Sequence, residues 1–152
     1  MLPSTNGRVP LHTADKVNER IRRQTEQNIA RYAGASPIAI ERRLAELDRE
    51  WDIERTLEAN AATASLVGLT LGATVDRKWF LFPAAVAGFL LMHAVQGWCP
   101  PVPVFRRLGW RTSAEIDEER YALKALRGDF QGLCEESSSR RAVLEAAAAV
   151  RR

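Results

Sequence analysis

ANAATASLVGLTLGATV (Ala59–Val75) and WFLFPAAVAGFLLMHAVQGWCPPVPVF (Trp79–Phe105) hold no charged residue, and only Asp76-Arg77-Lys78 parts them. Charged side chains make up 27% of the chain, so two such windows in succession mark a segment made for a different solvent. About 20 consecutive apolar residues cross the hydrocarbon core of a bilayer. Three polar residues between two such stretches make a tight helical turn. The reading is an all-α protein: a two-helix transmembrane hairpin, with spans at about 59–75 and 79–98, and amphipathic helical arms on the cytoplasmic side.

The second span is the stronger. About three quarters of Trp79–Trp98 is apolar, and Trp79 and Trp98 stand where interfacial aromatic residues collect. The first span is shorter, roughly 26 Å at 1.5 Å per residue, and carries Asn60, Thr63, Ser65, Thr70 and Thr74. Gly68 and Gly72 form a small-xxx-small pair, extended by Ala61, Ala64 and Ser65. Ala84 and Gly88 answer on the second span. Such residues let helix backbones approach closely in lipid, so this face is expected to pack the hairpin and to mediate self-association. The alternative is a soluble helical bundle with both helices at its centre.

Orientation follows from basic residues. Arg42, Arg43, Arg49 and Arg55 precede the first span, and Arg106, Arg107 and Arg111 follow the second. The turn has only Arg77 and Lys78. Both termini are therefore expected in the cytoplasm.

Outside the spans, residues 1–12 contain Pro3, Gly7 and Pro10 and read as a disordered leader. Residues 13–58 read as charged amphipathic helices. The first starts near Thr13, carries a thin stripe of Val17, Ile21, Asn28 and Tyr32, and ends at Gly34. Ser36-Pro37 then sets an N-cap with proline at the first helical position. Ile40, Leu44, Leu47, Trp51 and Leu57 share one face beyond it. Nothing between Pro37 and Val75 breaks the pattern, which predicts one continuous helix running into the first span. Within the hairpin-and-connector segment, 59–111, Cys99-Pro100-Pro101-Val102-Pro103 should stop the second span, leaving Val104–Arg111 as a connector. In the tail, 112–152, Thr112 and Glu115 make a capping box for a helix over Ser113–Leu126 that stops at Gly128. A polar linker at Glu135–Ser139 and an alanine-rich helix at Arg140–Val150 complete the chain.

Composition narrows function. Residues 1–58 carry ten basic and ten acidic side chains, the turn adds one positive charge and the remainder two, giving the net +3. That balance lacks the dense basic face of a nucleic-acid binder. Met1–Asn28 has no apolar core of a signal peptide. Two cysteines, Cys99 and Cys134, are too few for a disulfide framework. They lie 35 residues apart with no histidine between them, which argues against zinc. No phosphate-binding loop or nucleophile elbow occurs, and no cofactor is implied.

Two places still bear chemistry. His93 and Gln96 are polar within the second span, and folding the hairpin at residue 77 sets His93 level with Asn60–Ala64. They read as an interhelical contact to Asn60 or Thr63, or with His93 as a proton carrier or ligand. Cys99 closes the second span and is a candidate reactive thiol, if Arg106 or Arg107 lowers its pKa. Otherwise it is an inert cysteine at a helix end. Cys134, beside Glu135 and Glu136, has no assigned role.

Two short spans ending in Gly97-Trp98-Cys99-Pro100, then a connector into Leu108-Gly109, resemble the YgaP-like transmembrane domain family of small bacterial inner-membrane proteins. The resemblance covers roughly Trp51–Arg111, and Cys-Pro at the end of the second helix is its most specific element. It implies a self-associating helical hairpin of a bacterial inner membrane, found alone or fused to a rhodanese sulfurtransferase domain. Trp51-Asp52-Ile53-Glu54-Arg55 matches the family's opening only loosely, and no rhodanese domain is present, so sulfurtransferase activity does not carry over. The expected role is a non-enzymatic membrane scaffold or accessory subunit, with the bilayer and a second copy as partners. A sulfur or redox relay through Cys99, with a sulfurtransferase acting in trans, is the first alternative, and a soluble helical interaction module the second.

Overall fold

A computed structural model describes residues 7–131, and among them every regular element is helical. In chain order these are α1 (Arg8–Leu11), α2 (Asp15–Arg31), α3 (Pro37–Leu47), α4 (Ile53–Thr74), a 3-10 turn (Arg77–Phe80), α5 (Leu81–Gln96), α6 (Val102–Leu108) and α7 (Ser113–Arg127). Cys134, the polar linker and the alanine-rich helix lie outside the described residues. The chain forms two compact units. Among the described residues, one comprises 7–21 with Trp51–Ala114; the other comprises Arg22–Glu50 and 115–131.

The second unit is the expected amphipathic arm. Ser36 accepts a bond from the Ala39 amide at 3.3 Å, with Pro37 opening α3. Ile40, Leu44 and Leu47 bury against Ile116 and Leu123 of α7, with Tyr32 and Ala35 alongside. Gly34 and Gly128 both take positive φ, which a residue with a side chain adopts at a cost. Within this apolar layer Glu119 is wholly buried, held by Arg43 Nε at 2.8 Å and Asn28 Nδ2 at 3.2 Å. The Arg43 guanidinium is in turn held more firmly protonated by Glu119 and Glu46, against the opposing effect of burial.

The first unit contains the hairpin, and here three expectations fail. The long helix from Pro37 is broken: α3 stops at Leu47, and Asp52 starts α4 afresh by accepting the Arg55 amide at 2.7 Å. An aspartate N-cap satisfies a helix-start donor that a continuous helix would not expose. The supposed leader is structured from residue 7, with α1 placing Val9 in the core at 1% exposure. The supposed connector is helix α6, because Pro101 and Pro103 sit at its start, where a missing amide hydrogen costs nothing.

Val9, Ile53, Leu57, Cys99 and Val102 form the core of this unit, with Phe105 and Trp110 packed against it. Arg106 is fully buried beside them. Its guanidinium donates to Asn18 Oδ1 at 2.9 Å, Thr13 Oγ1 at 3.2 Å and the Trp110 carbonyl at 3.0 Å. The Ile53 amide donates to the Arg111 carbonyl at 2.8 Å. These bonds tie α6 through Arg106 to Thr13 and Asn18, and the start of α4 to the segment that follows α6.

From that base α4 and α5 run as an antiparallel pair joined by the turn. Asp76 caps the turn by accepting the Lys78 amide at 2.8 Å. Gly68 and Gly72 are buried on α4. A Cβ at Gly68 would lie 2.7 Å from Pro83 Cδ, and one at Gly72 2.8 Å from Phe80. Glycine is what lets the two helices touch.

Candidate functional site

Two features of the first unit bear on function: the outer surface of the hairpin, and a polar cluster at its base. The run Arg77–Gln96 is 20 residues long and apolar enough to cross a membrane, yet only 6% of its most apolar window is buried. It is the one helix among the described residues that meets both criteria. Leu66, Val67, Leu69, Trp79, Phe80, Leu81, Phe82, Phe89, Leu91 and Val95 are all exposed. Soluble proteins rarely expose contiguous apolar patches beyond a few hundred Å².

Helix α4 is less apolar, but its polar side chains are turned inward on their own backbone. Asn60 donates to the Thr56 carbonyl, Thr63 to Ala59, Thr70 to Leu66 and Thr74 to Thr70, at 2.7–2.8 Å. Each is an i to i−4 bond; for the three threonines it satisfies the hydroxyl hydrogen, and for Asn60 one of the two amide hydrogens.

The anticipated small-residue face divides in two. Gly68 and Gly72 pack inside the hairpin against Phe80, Phe82 and Pro83. Ala84 and Gly88 do not meet them; both are exposed, and a Cβ on Gly88 would meet nothing within 4 Å. The physical reason is the proline and phenylalanines at the start of α5, which fill the glycine notches first.

The anticipated polar contact is not made. Asn60 and Thr63 are engaged with their own helix, and Gln96 is exposed. His93 is 4% exposed, and neither ring nitrogen has a hydrogen-bond partner. Instead α1 closes over this end of α5. Arg8 Nη1 donates to the Ala94 carbonyl at 3.0 Å, and Nη2 lies 3.8 Å from Glu54 of α4. Gly97, at φ 82°, ends α5 so close to Arg8 that a Cβ would sit 2.6 Å from the Arg8 main chain. Sequence reading missed Arg8 because residues 1–12 show no periodicity; the one signal, a lone Val9 beside a helix-start Gly7, is too short to read.

Cys99 is 4% exposed in the core layer. Burial pushes its thiol up, opposed only in part by the Val102 amide. Arg106, the cation expected to activate it, is directed to Asn18, Thr13 and Trp110. Cys99 also lines a cleft of about 320 Å³ between α4 and α5, with Leu57, Ala61, Ala64, Leu90 and Pro100 among its walls. The cleft is apolar apart from Asn60, and no group of three potential metal ligands occurs among the described residues.

No protein-family model, curated protein or solved structure matches the chain.

Proposed function

We propose that this chain is an integral membrane protein of the bacterial inner membrane, inserted as the two-helix hairpin α4–α5, and that it acts without catalysis as a scaffold or accessory subunit. The observation that carries this reading is the exposure of the most apolar helix. A soluble bundle would bury α5; here most of its apolar side chains that do not pack on α4 are exposed. The inward bonding of Asn60, Thr63, Thr70 and Thr74 supports α4 as the second span despite its composition. Arg77 and Lys78 at the turn are outnumbered by the basic residues flanking the base, which supports cytoplasmic termini. Self-association belongs to this proposal, but with Gly68 and Gly72 filled from within, the face left for a second copy is the outer side of α5 at Ala84 and Gly88. Kinship with the YgaP-like family stays a proposal resting on Gly97-Trp98-Cys99-Pro100.

The relay reading needs an accessible, low-pKa thiolate, and the burial of Cys99 speaks against it. The topology is tested with Lys78→Cys in a chain whose Cys99 and Cys134 are replaced by serine. An impermeant maleimide should label Cys at 78 from outside intact spheroplasts, and a cysteine placed at Asp48 only after lysis. Equal labelling of both positions from outside would sink the two-span arrangement.

A further inference from the structure

The polar cluster at the base of the hairpin asks for an explanation that membrane anchoring does not supply. A side chain such as His93, buried with neither nitrogen completing a hydrogen bond, is uncommon in a native fold and calls for an explanation. We propose that His93 is a proton-binding site that works a latch: α1 closes the base of the hairpin while the ring is neutral and is released when the ring takes up a proton.

The latch is visible in the contacts of α1. Arg8 holds the end of α5 through the Ala94 carbonyl and approaches Glu54 of α4, while its main chain lies against Gly97. Val9 seals the core layer beside Ile53, Leu57, Cys99 and Val102. Helix α1 is only four residues long, so Val9 and Arg8 carry its attachment to the hairpin.

The chemistry of the ring sets the direction. A neutral imidazole has one donor and one acceptor nitrogen; the protonated ring has two donors and a charge. Neither nitrogen completes a hydrogen bond in the closed arrangement. Burial and Arg8 act against a proton on the ring, although the Gly97 main chain and Glu58 are placed to favour one. The charged groups that face the ring are Arg8 from α1 and Glu58 from α4, with Glu54 of α4 engaged by Arg8. Helix α5 has no other ionisable side chain, and Arg106 of α6 is directed to Thr13, Asn18 and Trp110. A proton on His93 therefore places a second cation beside Arg8 at a site shielded from water, where like charges repel strongly. Releasing Arg8 removes the repulsion and opens the site to water and to the α4 carboxylates. His93 lies one turn from the end of α5, so the proton comes from the aqueous side of the base. The inference rests on the closure of α1 and stands whether or not α4 spans the bilayer.

The test is hydrogen exchange on the purified full-length chain in detergent, read at the amides of Leu11, His12 and Thr13, which bond to the carbonyls of Gly7, Val9 and Pro10. Protection, corrected for intrinsic rates, should fall by about tenfold or more between roughly pH 8 and pH 5, the range in which histidine titrates. His93→Leu should hold its protection across that range. His12→Gln should behave as wild type, since His12 is exposed at the far end of α1. Arg8→Met, which leaves the ring in place and removes the opposing cation, should abolish the pH dependence. Flat protection in the wild type would overturn the latch. So would a wild-type pH response in either His93→Leu or Arg8→Met, and the second variant decides the matter if the first does not fold.

Discussion

Gly68→Ile together with Gly72→Ile should open the hairpin. Each new side chain begins with a Cβ inside contact distance, 2.7 Å from Pro83 at position 68 and 2.8 Å from Phe80 at position 72, before its remaining carbons are placed. Proline is rigid, and Phe80 is fixed at the turn, so the relief available is separation of α4 from α5. Overpacking of this kind costs about 1–3 kcal/mol per site. The double variant should unfold at a clearly lower denaturing-detergent fraction than the wild type, followed by helical circular dichroism. Gly88→Ile is the comparison that gives the result meaning. Its Cβ enters open space, so the fold should keep its stability while cross-linking between copies falls. If Gly88→Ile unfolds the protein and the double variant does not, the packing described for α4 and α5 is wrong.

The other large effect is expected in the second unit. Arg43→Met strips the buried Glu119 carboxylate of its 2.8 Å charged donor and leaves the Asn28 amide among its remaining partners. Removing one member of a buried ion pair costs about 3–5 kcal/mol, because the other charge stays in a poor solvent. Thermal unfolding should shift down by many degrees. Glu46→Gln removes the other carboxylate on Arg43, but Glu46 is 54% exposed and in water. An exposed pair contributes about 0–1 kcal/mol, so that variant should resemble wild type. Equal losses for the two variants would contradict the burial assigned to Glu119.

Which parts of this structure were legible in the sequence depends on the range of the interaction that fixes them. Ser36-Pro37, Gly34, Gly128 and the start of α7 after Thr112 are local events, decided by caps and positive φ within a few residues, and they stand where the pattern put them. The break at Asp52 was readable in principle, since aspartate three residues before Arg55 is an N-cap. The apolar spacing from Ile40 through Leu57 ran across it and favoured continuity. Helix α6 was hidden by an ambiguity: prolines stop one helix and start the next with equal ease. The buried positions of Val9 and Arg106 and the contacts of Arg8 depend on partners some 40 to 90 residues away, and no local pattern announces them. Gly68 and Gly72 were recognised as packing residues. What fills them was not, because Phe80 and Pro83 read as ordinary span residues.

Alkaline carbonate washing of membranes from cells expressing the full chain decides whether the exposed apolar hairpin lies in a bilayer. Peripheral proteins leave under that treatment, while a hairpin anchored by an apolar run of membrane-crossing length stays. The protein is expected in the pellet, with the Arg43→Met variant beside it, since that change leaves α4 and α5 untouched. Quantitative release into the supernatant would contradict the bilayer placement and would mean that the outer faces of α4 and α5 are covered by protein rather than lipid.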